Sequence, residues 1–122
     1  MPGRILVAKE LAEIFKLISH PDRIRLIEDL RNGEKDVNSL AEALELSGPR
    51  VSQHLGILRT HRIVSERREG RHHFYHLSQP EIAGWIVEGL AFLEGRSRGV
   101  PESEISNARR FWSTQEPSPG SR

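Results

Sequence analysis

The run Leu46-Ser47-Gly48-Pro49-Arg50-Val51-Ser52-Gln53-His54-Leu55-Gly56-Ile57-Leu58 narrows the folds open to this chain more than any other stretch. Ser47 is a good N-cap, and Gly48 and Pro49 suit a first helical turn, where proline gives up no needed N–H. Val51, Leu55 and Leu58 then recur at i, i+4 and i+7 and make one apolar face. Arg50, Ser52, Gln53 and His54 occupy the other side, all able to reach hydrogen-bonding edges. Just upstream, Ser39 to Glu45 forms a second short helical segment with Leu40, Ala43 and Leu44 as its inward stripe. Two short helices across a tight turn, the second polar on its outer side, are laid out as a helix-turn-helix.

Two strand-like segments follow, Arg62 to Arg68 and Arg71 to Leu77, rich in β-branched and aromatic residues. Arg68-Glu69-Gly70-Arg71 between them holds the glycine a hairpin turn wants. A basic hairpin after a helix-turn-helix reads as a wing. Taken alone, an arginine-rich hairpin is also what an ordinary solvated surface looks like; the helices before it give it meaning. Val51-Ser52-Gln53-His54-Leu55 combined with Arg67-Arg68-Glu69-Gly70-Arg71 resembles the ArsR/SmtB family of bacterial winged helix-turn-helix repressors, over about Ile5 to Leu93. His20-Pro21-Asp22-Arg23-Ile24 is similar to the start of that family's second helix. The resemblance implies a mainly α fold with a small β-hairpin wing, in the order α-α-α-α-β-β-α. It also implies a homodimer joined through the first and last helices.

Charge distribution agrees with that reading better than total charge does. The net charge is only +1, yet between Ser47 and Leu77 six arginines (50, 59, 62, 67, 68 and 71) face only Glu66 and Glu69. A basic reading head on a near-neutral body is the electrostatic footprint of a nucleic-acid binder. A chain of 122 residues is expected to be one domain, marginal as a monomer and helped by oligomerisation. Met1-Pro2-Gly3-Arg4 lacks a signal-peptide layout and no apolar run approaches a membrane span, so the expectation is cytoplasmic residence without membrane contact. There is no cysteine, which excludes disulfides and thiolate metal sites.

The remaining helices follow from periodicity. Arg4 to Ile18 carries Val7, Leu11, Ile14 and Ile18, widened by Phe15. Ser19 is the expected cap of a second helix, Pro21 to Arg31, with Ile24, Ile27 and Leu30 inward and an end at Asn32-Gly33. Ser78 and Glu81 stand in capping-box spacing ahead of Ile82, Trp85, Ile86, Leu90 and Leu93. That apolar surface exceeds what a lone exposed helix needs. The stripe can pack on its own core, but the resemblance implies pairing of the first and last helices, so Leu11, Ile14 and Phe15 with Ile82, Trp85, Ile86, Leu90 and Leu93 are the expected dimer interface, and Gly84 and Gly89 would permit close helix approach. Residues 4–95 form the expected winged domain. Residues 96–122 begin as a linker, continue as a possible short helix over 102–112, and end in a tail from Gln115 expected to be disordered.

No constellation points to an enzyme. His72 and His76 share a strand face but stand about 13 Å apart at strand rise, and His73 points the other way. Metal-sensing members of the family carry Cys-x-Cys at the start of the third helix, where this chain has Asp36 and Asn38. At the last-helix positions, near Gln79, Glu81, Phe92 and Gly95, only Glu81 can coordinate. No metal or cofactor is therefore expected, and no inducer can be named. His20 with Asp22 could contribute to some other metal site, but the pair reads first as capping the second helix.

The DNA-contacting residues implied by the resemblance are Ser47, Arg50, Ser52, Gln53, His54, Arg67, Arg68 and Arg71. Gly48 and Pro49 offer no side-chain contact, which puts weight on Arg50 as a bidentate reader of guanine. Glu45 occupies the turn position where the family commonly has glycine. The expected function is a sequence-specific regulator of transcription, a homodimeric repressor on an imperfectly palindromic double-stranded operator. The alternatives are a metal-responsive repressor with a non-standard site, or a protein-interaction module using the Trp85 face and Ile105 to Trp112.

Overall fold

A computed structural model describes residues 2–113. The elements in chain order are α1 (Pro2–Ile18), α2 (Pro21–Leu30), β1 (Lys35–Asp36), α3 (Val37–Leu44), α4 (Gly48–Thr60), β2 (Val64–Glu69), β3 (His72–Leu77), α5 (Ile82–Leu93) and α6 (Glu102–Ser113). The mainly helical winged architecture is as expected, with β1 in addition; α6 lies where the sequence reads as a possible short helix over 102–112. The tail from Gln115, expected to be disordered, lies outside the described residues.

α3 and α4 hold the layout read from the sequence, and their caps explain their bounds. Asp36 accepts from the Ser39 N–H at 2.9 Å to open α3, and Ser47 accepts from the Arg50 N–H at 3.3 Å to open α4. Between them Glu45 is left-handed, φ 56° and ψ 44°, the conformation that glycine adopts at least cost. Val51, Leu55 and Leu58 are fully buried against Leu40 and Leu44 of α3 and Leu26 and Ile27 of α2. Ala43, expected inward, is exposed; Ala41 is the partly buried alanine. Ile24 is likewise exposed, while Leu26 joins Ile27 and Leu30 inside.

The caps of α2 and α5 follow the sequence reading at His20 and depart from it at Ser19 and Ser78. His20 caps α2, its Nδ1 accepting from the Asp22 N–H at 3.1 Å, whereas the Ser19 hydroxyl donates back to the Lys16 carbonyl and closes α1. Ser78 bonds the Ser65 hydroxyl at 2.6 Å instead of capping α5, which starts without a side-chain cap bond. Arg62, expected to open a strand, is left-handed at φ 62° and terminates α4, with the Ile63 N–H donating back to the Leu58 carbonyl.

The sheet has the order β1-β3-β2 and is antiparallel throughout. The hairpin pairs Val64 with Leu77 and Glu69 with His72, leaving a two-residue loop of Gly70 and Arg71. Gly70 has φ 62°, which a short hairpin loop requires at its first position. Val64, Tyr75 and Leu77 put one face of the hairpin against the core.

The last helix is part of the packed body. Trp112 of α6 is 6% exposed and belongs to the core cluster, and Ile105 is 3% exposed. The Arg31 guanidinium stacks on the Phe111 ring at 4.4 Å and donates to the Phe111 carbonyl at 2.7 Å, and Arg109 pairs with Glu94 at 2.9 Å. Packing therefore continues past residue 95 to Ser113.

α1 stands apart. Residues 2–13 are all exposed; only Ile14, Leu17 and Ile18 reach the body. Of the apolar positions expected to pair two copies, Leu11, Phe15, Trp85 and Leu93 are exposed, and Ile14, Ile86 and Leu90 are half-buried. Ile82, at 6% exposure, is instead a core residue of its own chain. Phe15 and Trp85 already touch, ring centroids 5.6 Å apart. A Cβ on Gly84 or Gly89 would meet open space, so no described residue of this chain approaches them closely.

Candidate nucleic-acid interface

The outer side of α4 and the adjacent face of the hairpin form one surface, and period-two alternation decides which hairpin side chains belong to it. Val64, Glu66 and Arg68 of β2 share the face that carries Tyr75 and His73 of β3, the face that is buried at its Val64 end. Glu66 ties this face to α4: it accepts from Arg59 at 3.0 Å, from the Tyr75 hydroxyl at 3.0 Å, and lies 2.7 Å from the His73 Nδ1. The His73 bond holds the Glu66 carboxyl below its ordinary range, with Tyr75 and Arg59 acting in the same direction; burial beside Glu66 raises the Tyr75 phenol. A cleft of about 350 Å³ runs between Ser52 of α4, Asn38 of α3, and Glu66, Arg71 and His73 of the wing.

Arg67 points to the opposite face. Its guanidinium lies 4.7 Å over the Phe74 ring, meets both Glu34 oxygens at 2.7–3.2 Å, and bonds Glu69 at 2.6 Å. Those partners raise the Arg67 pKa further, and Arg67 in turn holds the Glu34 carboxyl low. Arg67 is thus a strut between the wing and the α2–β1 loop. Arg68 and Arg71 are exposed and, among the described residues, make no ion pair or hydrogen bond.

On α4, Arg50, Ser52 and Gln53 are exposed, as placed from the sequence, and Ser47 is exposed while its hydroxyl caps the helix. His54 is the correction. Its side chain turns inward and is 7% exposed, because position 54 neighbours both buried Val51 and buried Leu58 on the helical wheel. Its Nδ1 accepts from the Arg23 Nε at 3.2 Å, its Nε2 lies 3.6 Å from the Asp22 Oδ2, and its ring packs edge-on against His20 at 4.6 Å. Burial lowers the His54 pKa, and the nearby His20 and Arg23 charges lower it further. Arg23 is in turn anchored on the Leu17 carbonyl at 2.9 Å.

His20, Asp22 and His54 bring three potential metal-ligating atoms within 4.8 Å of one another. Both imidazoles, however, already spend the Nδ1 lone pair on an N–H donor, so each neutral ring carries its proton on Nε2. A cation there must displace the α2 cap or the Arg23 bond and sit beside two guanidiniums. The group is an ordered set in which the two imidazoles accept N–H bonds and the Asp22 carboxylate lies 3.6 Å from the His54 Nε2.

Asp22, Glu34 and Glu66 are the functional neighbours that sequence reading missed. Asp22 and Glu34 partner arginines 28 and 33 positions away, and Glu66 meets Arg59 across the turn between α4 and the wing; only the strand register and the α2–α4 packing bring these groups together.

Comparison with known proteins places this geometry. The profile of the family described as bacterial regulatory protein, arsR family, matches residues 20–66, from the α2 cap into the wing. The chain is 32% identical over 91 residues to the HTH-type transcriptional regulator KmtR of Mycobacterium tuberculosis, covering 75% of this chain and 70% of that one. It is 40% identical over 90 residues to the biofilm growth-associated repressor of Agrobacterium fabrum, covering 74% and 76%. Among solved structures, NolR from Sinorhizobium fredii superposes with a TM-score of 0.68 at 28% identity, covering 80% of this chain and 96% of NolR. The transcriptional repressor BigR from Xylella fastidiosa superposes at 0.65 and 29%, covering 79% and 98%. With the helix-turn-helix, the wing and these likenesses in agreement, the chain belongs to the arsR family and is a winged helix-turn-helix transcriptional regulator.

Proposed function

We propose that the protein acts as a homodimeric repressor, each copy laying α4 in a major groove of an imperfect palindrome and its wing against the flanking backbone. The observation that carries this reading is the division of cations on one surface. Arg50 stands exposed on α4, and Arg68 and Arg71 have no ion-pair partner among the described residues, while Arg67 is consumed by two carboxylates. In this reading Arg50 contacts a base, with Ser52 and Gln53 beside it, and Arg68 and Arg71 contact phosphate or the minor groove. Half-sites then lie about 34–36 Å apart.

The dimer is supported by the apolar side chains left open on α1 and α5. Leu11, Phe15, Trp85 and Leu93 are 43–50% exposed, and residues 2–13 of α1 are all exposed. A second copy covers these faces by a two-fold arrangement. The place of action is the cytoplasm, where the operator is, and no catalytic role is assigned. The chain has no thiolate with which to sense soft metals.

Sequencing the genomic fragments retained by the purified protein, followed by fluorescence anisotropy on the enriched duplex, tests this reading. The expected result is an interrupted palindrome bound at least a thousandfold more tightly than random duplex. Equal binding of enriched and random duplexes at moderate salt refutes it.

A further inference from the structure

We propose that Asp22, a residue of α2 outside the reading helix, orients the Arg50 guanidinium for a guanine and thereby sets how strictly one base pair is chosen. This rests on the reading above, in which Arg50 faces a base. The Asp22 Oδ2 lies 3.6 Å from the Arg50 Nε. A carboxylate on the Nε side leaves the two terminal amino groups pointing outward as a fork, the edge that matches guanine O6 and N7. The Arg50 side chain is 58% exposed, so without this partner it samples many rotamers, and only some present that fork.

Asp22 is fit for this role because it is itself held. Its side chain is only 15% exposed, and the same Oδ2 lies 3.6 Å from the His54 Nε2. The direction of that contact is fixed by chemistry. An arginine Nε only donates, so the His54 Nδ1 that receives it must be the acceptor, and the imidazole proton is left on Nε2, facing Asp22. Burial lowers the His54 pKa and so favours the neutral imidazole. The chain of contacts thus runs from the Leu17 carbonyl at the end of α1 through Arg23, His54 and Asp22 to Arg50. Asp22 is a positioning residue: its reach to DNA is through Arg50.

The test compares wild type, Arg50→Ala, Asp22→Asn and the double variant by competitive anisotropy. The duplexes are the enriched operator, its single-base-pair variants and a random sequence. Arg50→Ala identifies the base pair that Arg50 reads, where wild type should discriminate roughly tenfold or more. Asp22→Asn is expected to remove about three- to tenfold of that preference at the same base pair. It should leave other positions and the random duplex within about twofold, and the double variant should match Arg50→Ala. Unchanged random-duplex affinity also reports an intact reading head; Asp22→Ala serves as a second variant for the same comparison. Wild-type preference in both Asp22 variants, or a uniform loss on every duplex, overturns the proposal. If Arg50→Ala alters no single position, the assignment of Arg50 as a reader falls first and this proposal with it. A failure of Asp22 alone leaves the Arg50 effect standing.

Discussion

Arg50, Arg67, Arg68 and Arg71 are equivalent in a charge count, and their surroundings separate them. Arg50→Ala is expected to cost about 1–3 kcal/mol of operator binding, concentrated at one base pair. Arg68→Ala and Arg71→Ala should weaken all duplexes alike and reduce the slope of log K against log salt by about one each. Arg67→Ala, whose charge is already met by Glu34 and Glu69, should alter that slope least, and salt titrations of the four variants check the order. Glu45 tests a different physics. An L-residue at φ 56° carries strain that glycine relieves, partly offset by glycine's freer unfolded chain. Glu45→Gly should therefore raise stability by about 0.5–1 kcal/mol, read as a higher denaturation midpoint. For His54 the sign of the pH dependence follows from burial. Its folded pKa lies below the ordinary 6.5, so as pH falls below 6.5 the unfolded chain takes up a proton that the native chain refuses. Its contribution to stability is present above that pH and lost as pH drops through the folded value. The difference between urea midpoints at pH 7.5 and 5.5 should be smaller in His54→Gln.

Among the elements, α4 was legible from the sequence almost residue for residue, because a cap, a proline at the first turn and an i, i+4, i+7 stripe all agree. His54 shows the limit of that reading. A polar residue at the edge of an apolar stripe goes inward only if something inside answers it, and the answer, Arg23 and Asp22, comes from another helix. The wing has the same character. Alternation separates Arg67 from Arg68, yet which of them faces α4 depends on which side of the hairpin meets the core. α6 was visible only as a possible helix, since Ile105, Ala108 and Trp112 make a short stripe. What makes it part of the body is Arg31, whose guanidinium meets the Phe111 ring and carbonyl. Trp112→Ala should destabilise the fold by about 3–5 kcal/mol, and Phe111→Ala, on an exposed ring, by clearly less. Similar chemical-denaturation midpoints for the two would show that α6 contributes little to the core.

For the whole molecule, the open question for a single copy is what covers α1. A 17-residue helix with twelve consecutive exposed residues, Ile5, Leu6 and Leu11 among them, and with Phe15 exposed beyond them, gains little from its own body. Its apolar surface gains free energy only by leaving water against a partner, at roughly 25 cal/mol per Å². Phe15→Glu, which sets a charge beside Trp85, should therefore shift the protein toward monomer and weaken operator binding at least tenfold, while the isolated winged body keeps its fold. Sedimentation velocity across a concentration series checks it. A Phe15→Glu protein as dimeric as wild type would place the interface elsewhere.

What the sequence determined by itself is local and periodic: the helix-turn-helix, the Gly70 hairpin, the arginines clustered between Ser47 and Leu77, and the absence of thiolate chemistry. These follow from backbone sterics and from spacings of 3.6 and 2 residues, which operate within a few positions. Tertiary structure alone decided which charges are spent and which remain. Arg67 is neutralised from Glu34, and His54 is drawn inside toward Arg23, with Asp22 set between it and Arg50. Those pairings span from 28 to 33 positions of sequence, so no local rule encodes them; they exist only because burial of the apolar stripes fixes how the elements meet.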